Sequence, residues 1–203
     1  MDVLAVSPES GYAEEGCILA RLLEAGLCRY HLRKPRWSPA RLTALLDEIP
    51  AVWRPRIVLH QHYELSESFG LGGLHLKDGA DAQNLRRTWA PRWEDGQTMS
   101  RSLHRIDGLE RDTRDWDYAF VSPVFPSITK SGYAPDWPEE DLAEALRCCG
   151  TDRRAKIYAL GGICSDNLGR CADLGFDGVV LHGALWQDSD PVRALEHIMK
   201  GQA

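Results

Sequence analysis

Short apolar runs alternate with longer stretches of helical period along the whole chain. The β-type runs are VLAV (3–6), CRYHLR (28–33), RIVLH (56–60), GGLHL (72–76), YAFVS (118–122), KIYAL (156–160) and DGVVLH (177–182). QTMSRS (97–102) makes a weaker eighth. Between them, EEGCILARLLEAG (14–26) places Ile18, Leu22 and Leu23 on one stripe and stops at a glycine. SPARLTALLDEI (38–49) opens with Ser38 as N-cap and Pro39 at the first helical position. PEEDLAEALRCCG (138–150) has a proline start, an acidic first turn and a glycine stop, the order a helix dipole favours. SDNLGRCADLG (165–175) and DPVRALEHIMKG (190–201) repeat the theme, and RRTWAPRWEDG (86–96) reads as an irregular loop around a weak fourth helix.

Strand and helix in alternation, about eight times, predict a parallel sheet covered by helices. Eight units favour an α/β fold of the closed (β/α)8 TIM-barrel type over an open doubly wound sheet, and no GxGxxG follows the first strand. With 203 residues against roughly 250 for typical barrels, this one is compact, with short loops, and forms a single domain over residues 1–203.

Composition narrows the partners. The formal charge is −6 and no Lys/Arg block stands out, which argues against nucleic acid but leaves small anions open. No run approaches the ~20 apolar residues of a membrane span, and MDVLAVSPES is no signal peptide, so a cytoplasmic location is expected. The six cysteines lack CxxC spacing; Cys17 and Cys171, within helical patterns, are expected to be small buried hydrophobes rather than disulfide partners. A homo-oligomer is compatible with the sequence.

In such barrels the site lies at the carboxyl ends of the strands. There the chain carries His31 and Arg33, with Lys34 beside them, then His60-Gln61-His62, then His75 with Lys77 and Asp78. Alternation places His31 with Arg33, and His60 with His62. The last two strands end in Gly161-Gly162 and in His182-Gly183, where bare amides at strand-to-helix turns suit a phosphate. The same glycines would also serve tight turns alone. Ser127, Thr129 and Lys130 add two hydroxyls and an ammonium on a loop pinned by Pro123 and Pro126, a set that suits phosphate or pyrophosphate oxygens.

These segments, in order, resemble the thiamine-phosphate synthase family. SPVFPSITKSG resembles its strand-6 loop, IYALGGICSDN its glycine tip, GFDGVVLHGALW its last strand, HLRKP its strand-2 end and FGLGGLHL its strand-4 run. The resemblance implies a (β/α)8 barrel that joins an aminopyrimidine, activated as a pyrophosphate ester, to a thiazole phosphate, with Mg2+ as cofactor and pyrophosphate as leaving group. By position it makes Ser127, Thr129 and Lys130 binders of thiazole phosphate and pyrophosphate. It likewise assigns thiazole phosphate to Gly162 and the Gly183 amide, and pyrophosphate to Arg33 and Lys34. The family's Asn-Asp after strand 3 becomes His60-Gln61, poor Mg2+ ligands, leaving Asp78 or Asp81 for the metal. The family's strand-5 serine falls among Met99, Ser100 and Ser102.

Three alternatives stay open at this level. A TenI-like thiazole tautomerase shares the pocket and needs a group titrating near neutrality, as a histidine can; that branch's own histidine aligns with Arg101. A non-catalytic binder of thiazole phosphate would also lose the metal carboxylates. Finally, His60 and His62 have the HxH spacing of metal-dependent hydrolases, with His75 or Asp78 as a third ligand, although His182 stands where those enzymes carry an Asp.

Overall fold

The computed structural model describes residues 1–77, 82–90, 96–128, 132, 134–150 and 153–201. Eight parallel strands close on themselves in chain order: β1 (Asp2–Val6), β2 (Arg29–Leu32), β3 (Ile57–Leu59), β4 (Gly73–Leu76), β5 (Thr98–Leu103), β6 (Tyr118–Val121), β7 (Lys156–Leu160) and β8 (Gly178–Leu181). Pairing of β8 with β1, Asp2 opposite Gly178, completes the barrel. The helices are α1 (Glu15–Glu24), α2 (Pro39–Glu48), α3 (Leu65–Phe69), α4 (Ala82–Trp89), α5 (Leu109–Thr113), α6 (Glu139–Cys148), α7 (Leu168–Leu174), α8 (Gly183–Trp186) and α9 (Pro191–Lys200). No helix among the described residues is long and apolar enough to cross a membrane.

The barrel expected from the alternating pattern is the one observed, and the weak run at 97–102 is a full strand. Helix α4 begins earlier than the pattern suggests, and residues 91–95 of the Trp/Pro/Arg-rich stretch lie outside the described residues. Ser38 does cap α2: its hydroxyl accepts from the Arg41 amide at 3.3 Å, with Pro39 in the first turn. One detail is corrected. Cys17 is exposed, since the buried stripe of α1 runs through Leu19, Leu22 and Leu23; Cys171 is buried and all six thiols are free.

Strand alternation splits the core in two. Outward residues such as Val3, Ala5, Tyr30, Leu32, Ile57, Leu59, Leu74, Leu76, Ile157 and Val179 pack under the helices. Inward residues Leu4, Val6, Tyr118, Phe120, Tyr158 and Val180 form a separate apolar cluster inside the barrel. Burying branched and aromatic side chains on both faces is the main stabilising term in such a sheet. At the amino-terminal end the Asp2 carboxylate takes hydrogen bonds from Tyr158 and Lys156, both at 2.8 Å, and ties β7 to β1.

At the opposite end the β1–α1 loop is held from inside. Lys34 is fully buried, and its ammonium donates to the Pro8 carbonyl at 2.6 Å, the Ser10 carbonyl at 3.0 Å and the Glu15 carboxylate at 2.6 Å. Tyr30 donates to the other Glu15 oxygen at 3.1 Å. All three ammonium hydrogens are therefore used within the fold, and Lys34 is a fastening of the loop rather than a ligand for substrate. Removing one partner of a buried pair strands the other charge. Lys34→Met is expected to lower stability by about 3–5 kcal/mol, read as the urea midpoint, and adding Glu15→Gln should recover part of the loss; equal stability of Lys34→Met and wild type would refute this fastening role.

Candidate active site

A cavity of about 790 Å³ opens at the carboxyl ends of the strands. Its wall follows the inward register. Arg33, His60, His75, Lys77, Ser102, His104, Ser122, Leu160 and His182 come from the ends of β2 to β8, Phe120 and Val180 lie deeper, and Glu9, Ser10, Arg36, Ser127, Ile128, Gly161, Gly162 and Gly183 come from the loops.

The glycine tips have two physical jobs at once. Gly161 and Gly162 have φ of 100° and 67°, a region that L side chains rarely adopt. A Cβ on Gly161 would sit 2.9 Å from Cα of Pro123, and one on Gly162 would sit 2.4 Å from the Pro126 carbonyl oxygen. The segment after β6 therefore lies directly on these tips. The Val124 amide donates to the Leu160 carbonyl at 3.0 Å and the Phe125 amide to the Gly161 carbonyl at 3.1 Å. Asn167 braces the tip from the other side, donating to the Gly162 carbonyl at 2.8 Å while its own oxygen accepts from the Cys164 amide at 3.0 Å. This docking carries Ser127 to the cavity wall beside the tips of β7 and β8.

Arg33 is held by its own backbone and by Glu9. Ser7 accepts from the Arg33 amide at 2.9 Å and donates to the Arg33 carbonyl at 3.0 Å, and the guanidinium pairs with the Glu9 carboxylate. Glu9 lies between the two carbonyls gripped by Lys34. Its place at the rim was not apparent from the sequence, because SPES after the first strand carries no periodic signal; Arg36 and His104 were missed likewise.

Below the rim, the imidazoles of His60 and His75 make the floor, and a third, His31, lies beneath them. His31 Nδ1 lies 3.0 Å from His60 Nε2, and His31 Nε2 lies 2.9 Å from the Tyr118 hydroxyl. His75 is bracketed by Ser100 at its Nδ1 and Ser102 at its Nε2, each at 2.8 Å, and its ring stacks on His60 with centroids 4.2 Å apart. Burial holds the pKa of His31 and His60 well below the usual imidazole value. Burial, with lesser contributions from Arg33 and His104, pulls His75 down to about 3. All three rings are thus uncharged at neutral pH, and none titrates near pH 7, as the tautomerase alternative would need.

The structure brings together Arg33, His60, His75, Ser127, Gly161, Gly162, His182 and Gly183 from the sequence-expected set. It separates four others. His31 is completely buried beneath the cavity floor and meets His60 and Tyr118 rather than the cavity itself. Lys34 is locked to Glu15. Gln61 is not among the described residues that line the cavity; its side-chain nitrogen is buried without a hydrogen-bond partner among the described residues. His62 is turned away because β3 ends at Leu59 and His62 takes a φ of 54°, which breaks the alternation; its Nε2 meets the Trp37 carbonyl at 2.9 Å. The HxH pair therefore does not converge, and His31 stands where His62 was expected. Thr129, Lys130, Asp78 and Asp81 lie outside the described residues. Among the strand-5 candidates, Ser102 reaches the wall, Ser100 lies under His75 and Met99 faces the helices.

Fold and cavity together define a (β/α)8-barrel scaffold of the enzyme kind, with its polar groups gathered at the carboxyl ends of the strands. Residues 4–185 match the family model described as thiamine monophosphate synthase. The chain belongs to that family. The thiamine-phosphate synthase of Bacteroides fragilis (strain YCH46) is 25% identical over 190 residues, 89% of this chain and 90% of the relative. That of Methylobacillus flagellatus is 29% identical over 171 residues, 82% and 77% of the two chains. The crystal structure of thiamine phosphate pyrophosphorylase from Bacteroides thetaiotaomicron matches with a TM-score of 0.80 at 29% identity, covering 100% of this chain and 98% of that one.

The neutral floor has a consequence for stability. On unfolding, each ring regains a pKa near 6.5, so between that value and its folded value the unfolded chain binds more protons. Stability is full above about pH 6.5 and falls on acidification; for His75, whose folded value is about 3, the loss between pH 7 and pH 5 is about 2 kcal/mol, and His31 and His60 act in the same direction. Urea midpoints at the two pH values, with trace metals chelated, measure the drop; His75→Gln should make it shallower, and an unchanged slope in that variant would contradict the assignment.

Proposed function

We propose that the protein is a thiamine-phosphate synthase-type transferase acting on two small phosphorylated substrates, an aminopyrimidine pyrophosphate and a thiazole phosphate. Membership of the family over residues 4–185 supports the reading. The observation that carries it is the convergence, in one cavity, of the Gly161-Gly162 and Gly183 turns, the Ser127 hydroxyl and the Arg33, Arg36 and Lys77 cations.

The chemistry asks for such a wall. The pyrimidine methylene–oxygen bond breaks and pyrophosphate departs with the electron pair. The thiazole nitrogen then attacks the stabilised cation and forms the new carbon–nitrogen bond. No nucleophile from the protein is required; cations placed at the leaving group and a fixed seat for the second substrate are. The glycine turns leave the main chain open to close approach by a phosphate, and Ser127 adds a hydroxyl at the same place. Arg33, Arg36 and Lys77, with Lys130 from outside the described residues, are suited to neutralise pyrophosphate. The uncharged imidazole floor leaves this positive field to the rim.

The described cavity residues do not fit the Mg2+ that the family implies. Mg2+ requires oxygen donors. The cavity offers imidazoles there, and its one carboxylate among the described residues, Glu9, is paired to Arg33. Among the described residues leaving-group neutralisation falls to the cationic side chains; Asp78 and Asp81, the carboxylates expected for the metal, lie outside them.

The reading is tested by incubating the purified protein with both substrates and following thiamine phosphate and pyrophosphate. Stoichiometric release of both is expected, with kcat falling at least about 100-fold in Arg33→Ala and in Lys130→Ala. Unchanged kinetics in both variants would overturn the site assignment. Isomerisation of the thiazole phosphate without the pyrimidine would point to the tautomerase, and calorimetric binding without any turnover to a carrier.

A further inference from the structure

We propose that His31, His60 and His75 form a binding site for one borderline divalent transition-metal ion, Zn2+ or Co2+, at the floor of the cavity. The inference does not rest on the transferase reading, because it concerns capture of an ion by side chains alone.

Small barrels normally fill their interior with branched aliphatic side chains. Here three successive strands, β2, β3 and β4, each turn an imidazole to the same spot, and one ligand nitrogen from each ring lies within 4.8 Å of the others. One pair, His31 Nδ1 and His60 Nε2, is 3.0 Å apart. Two nitrogens bound to one tetrahedral ion at about 2.0–2.1 Å stand roughly 3.3 Å apart, so a metal can replace this hydrogen bond with little movement.

The outer partners are also in place. His31 Nε2 is tied to the Tyr118 hydroxyl at 2.9 Å, which leaves Nδ1 for an ion. Ser100 donates to the Leu74 carbonyl at 3.3 Å, so it accepts from His75 Nδ1–H, and His75 Nε2 is the lone-pair nitrogen, now facing the Ser102 hydroxyl. Rotation of Ser102 releases that nitrogen while Ser100 keeps the ring anchored. Such a hydroxyl behind His31 and behind His75 fixes tautomer and orientation, as outer partners do in metal centres. Binding requires the His60 and His75 rings, stacked at 4.2 Å, to open toward the common point.

The donor set selects the ion. Three imidazoles without a carboxylate suit Zn2+, Co2+ or their neighbours, not Mg2+ or Ca2+. Because His60 and His75 line the cavity, the fourth position of the ion faces it, the open arrangement of catalytic rather than structural zinc.

The test is a Co2+ titration of the chelator-treated full chain, without substrates. Expected are the visible d–d absorption of tetrahedral Co2+ saturating at one ion per chain, displacement by Zn2+, and X-ray absorption showing three imidazoles on bound Zn2+. His60→Asn and His31→Gln should each weaken binding by more than the roughly 10–100-fold that loss of an outer partner costs, Tyr118→Phe should fall within that range, and His62→Ala should bind as wild type. Circular dichroism identifies any variant that fails to fold, and the X-ray absorption result on the wild-type chain stands without variants. No saturable Co2+ band, fewer than three imidazoles, or a band that survives His60→Asn would overturn the site. A chain that binds no metal but makes product leaves the transferase intact; one that binds metal and makes no product leaves this site intact.

Discussion

Closing eight parallel strands into a barrel gives every second side chain one destination, the interior. That constraint sets the rest of the molecule. Along β2 and just past its end, His31 and Arg33 turn inward and Tyr30 and Leu32 out beneath the helices; along β8 and just past its end, Val180 and His182 turn inward and Val179 and Leu181 outward. Depth along the strand then decides the role. The middle of the barrel holds Leu4, Phe120, Tyr158 and Val180 as packing. One layer nearer the carboxyl ends the same inward positions become polar, and those are the cavity.

Charge is graded along the same axis. Buried imidazoles cannot hold a proton against the loss of hydration, so the floor is neutral. The guanidinium of Arg33 and the ammonium of Lys77 stand a layer higher, where solvent reaches them. Glu9 belongs to this layer too. An anionic ligand that pairs with Arg33 competes with the Glu9 carboxylate for the same guanidinium. The position of that competitor is set by Lys34, which grips the carbonyls on either side of it, at Pro8 and Ser10. A residue that looks like a phosphate ligand in the sequence acts instead through the loop it holds.

How much of this the sequence revealed depended on periodicity. Eight strands, their order and most inward positions could be read because alternation and helical period are averaged over several residues. Arg33, His60, His75 and His182 follow from that rule. The failures occur where the period stops. His62 was paired with His60 on the assumption that β3 continued, but the strand ends at Leu59 and a positive φ turns the ring out. Lys34 was read as a free cation because a buried partner nineteen positions earlier in the chain, Glu15, leaves no trace in local pattern. Glu9, Arg36 and His104 reach the cavity from loops, whose path depends on contacts distant in sequence. His31 was assigned to substrate because pattern gives the face of a residue and not its depth.

The glycine tips show how a backbone requirement and a binding surface can be one feature. Taken alone, Gly161-Gly162 would satisfy either a tight turn or a close approach by a ligand. In the folded chain the group that first needs the missing Cβ atoms is the protein's own segment from Pro123 to Pro126, which any side chain there would strike. That segment is what carries Ser127 to the wall. The two glycines therefore shape the cavity by letting the neighbouring loop settle on them, while they themselves line its wall. A substitution at either would push that segment away and move the hydroxyl with it, so the turn and the pocket cannot be separated in this fold.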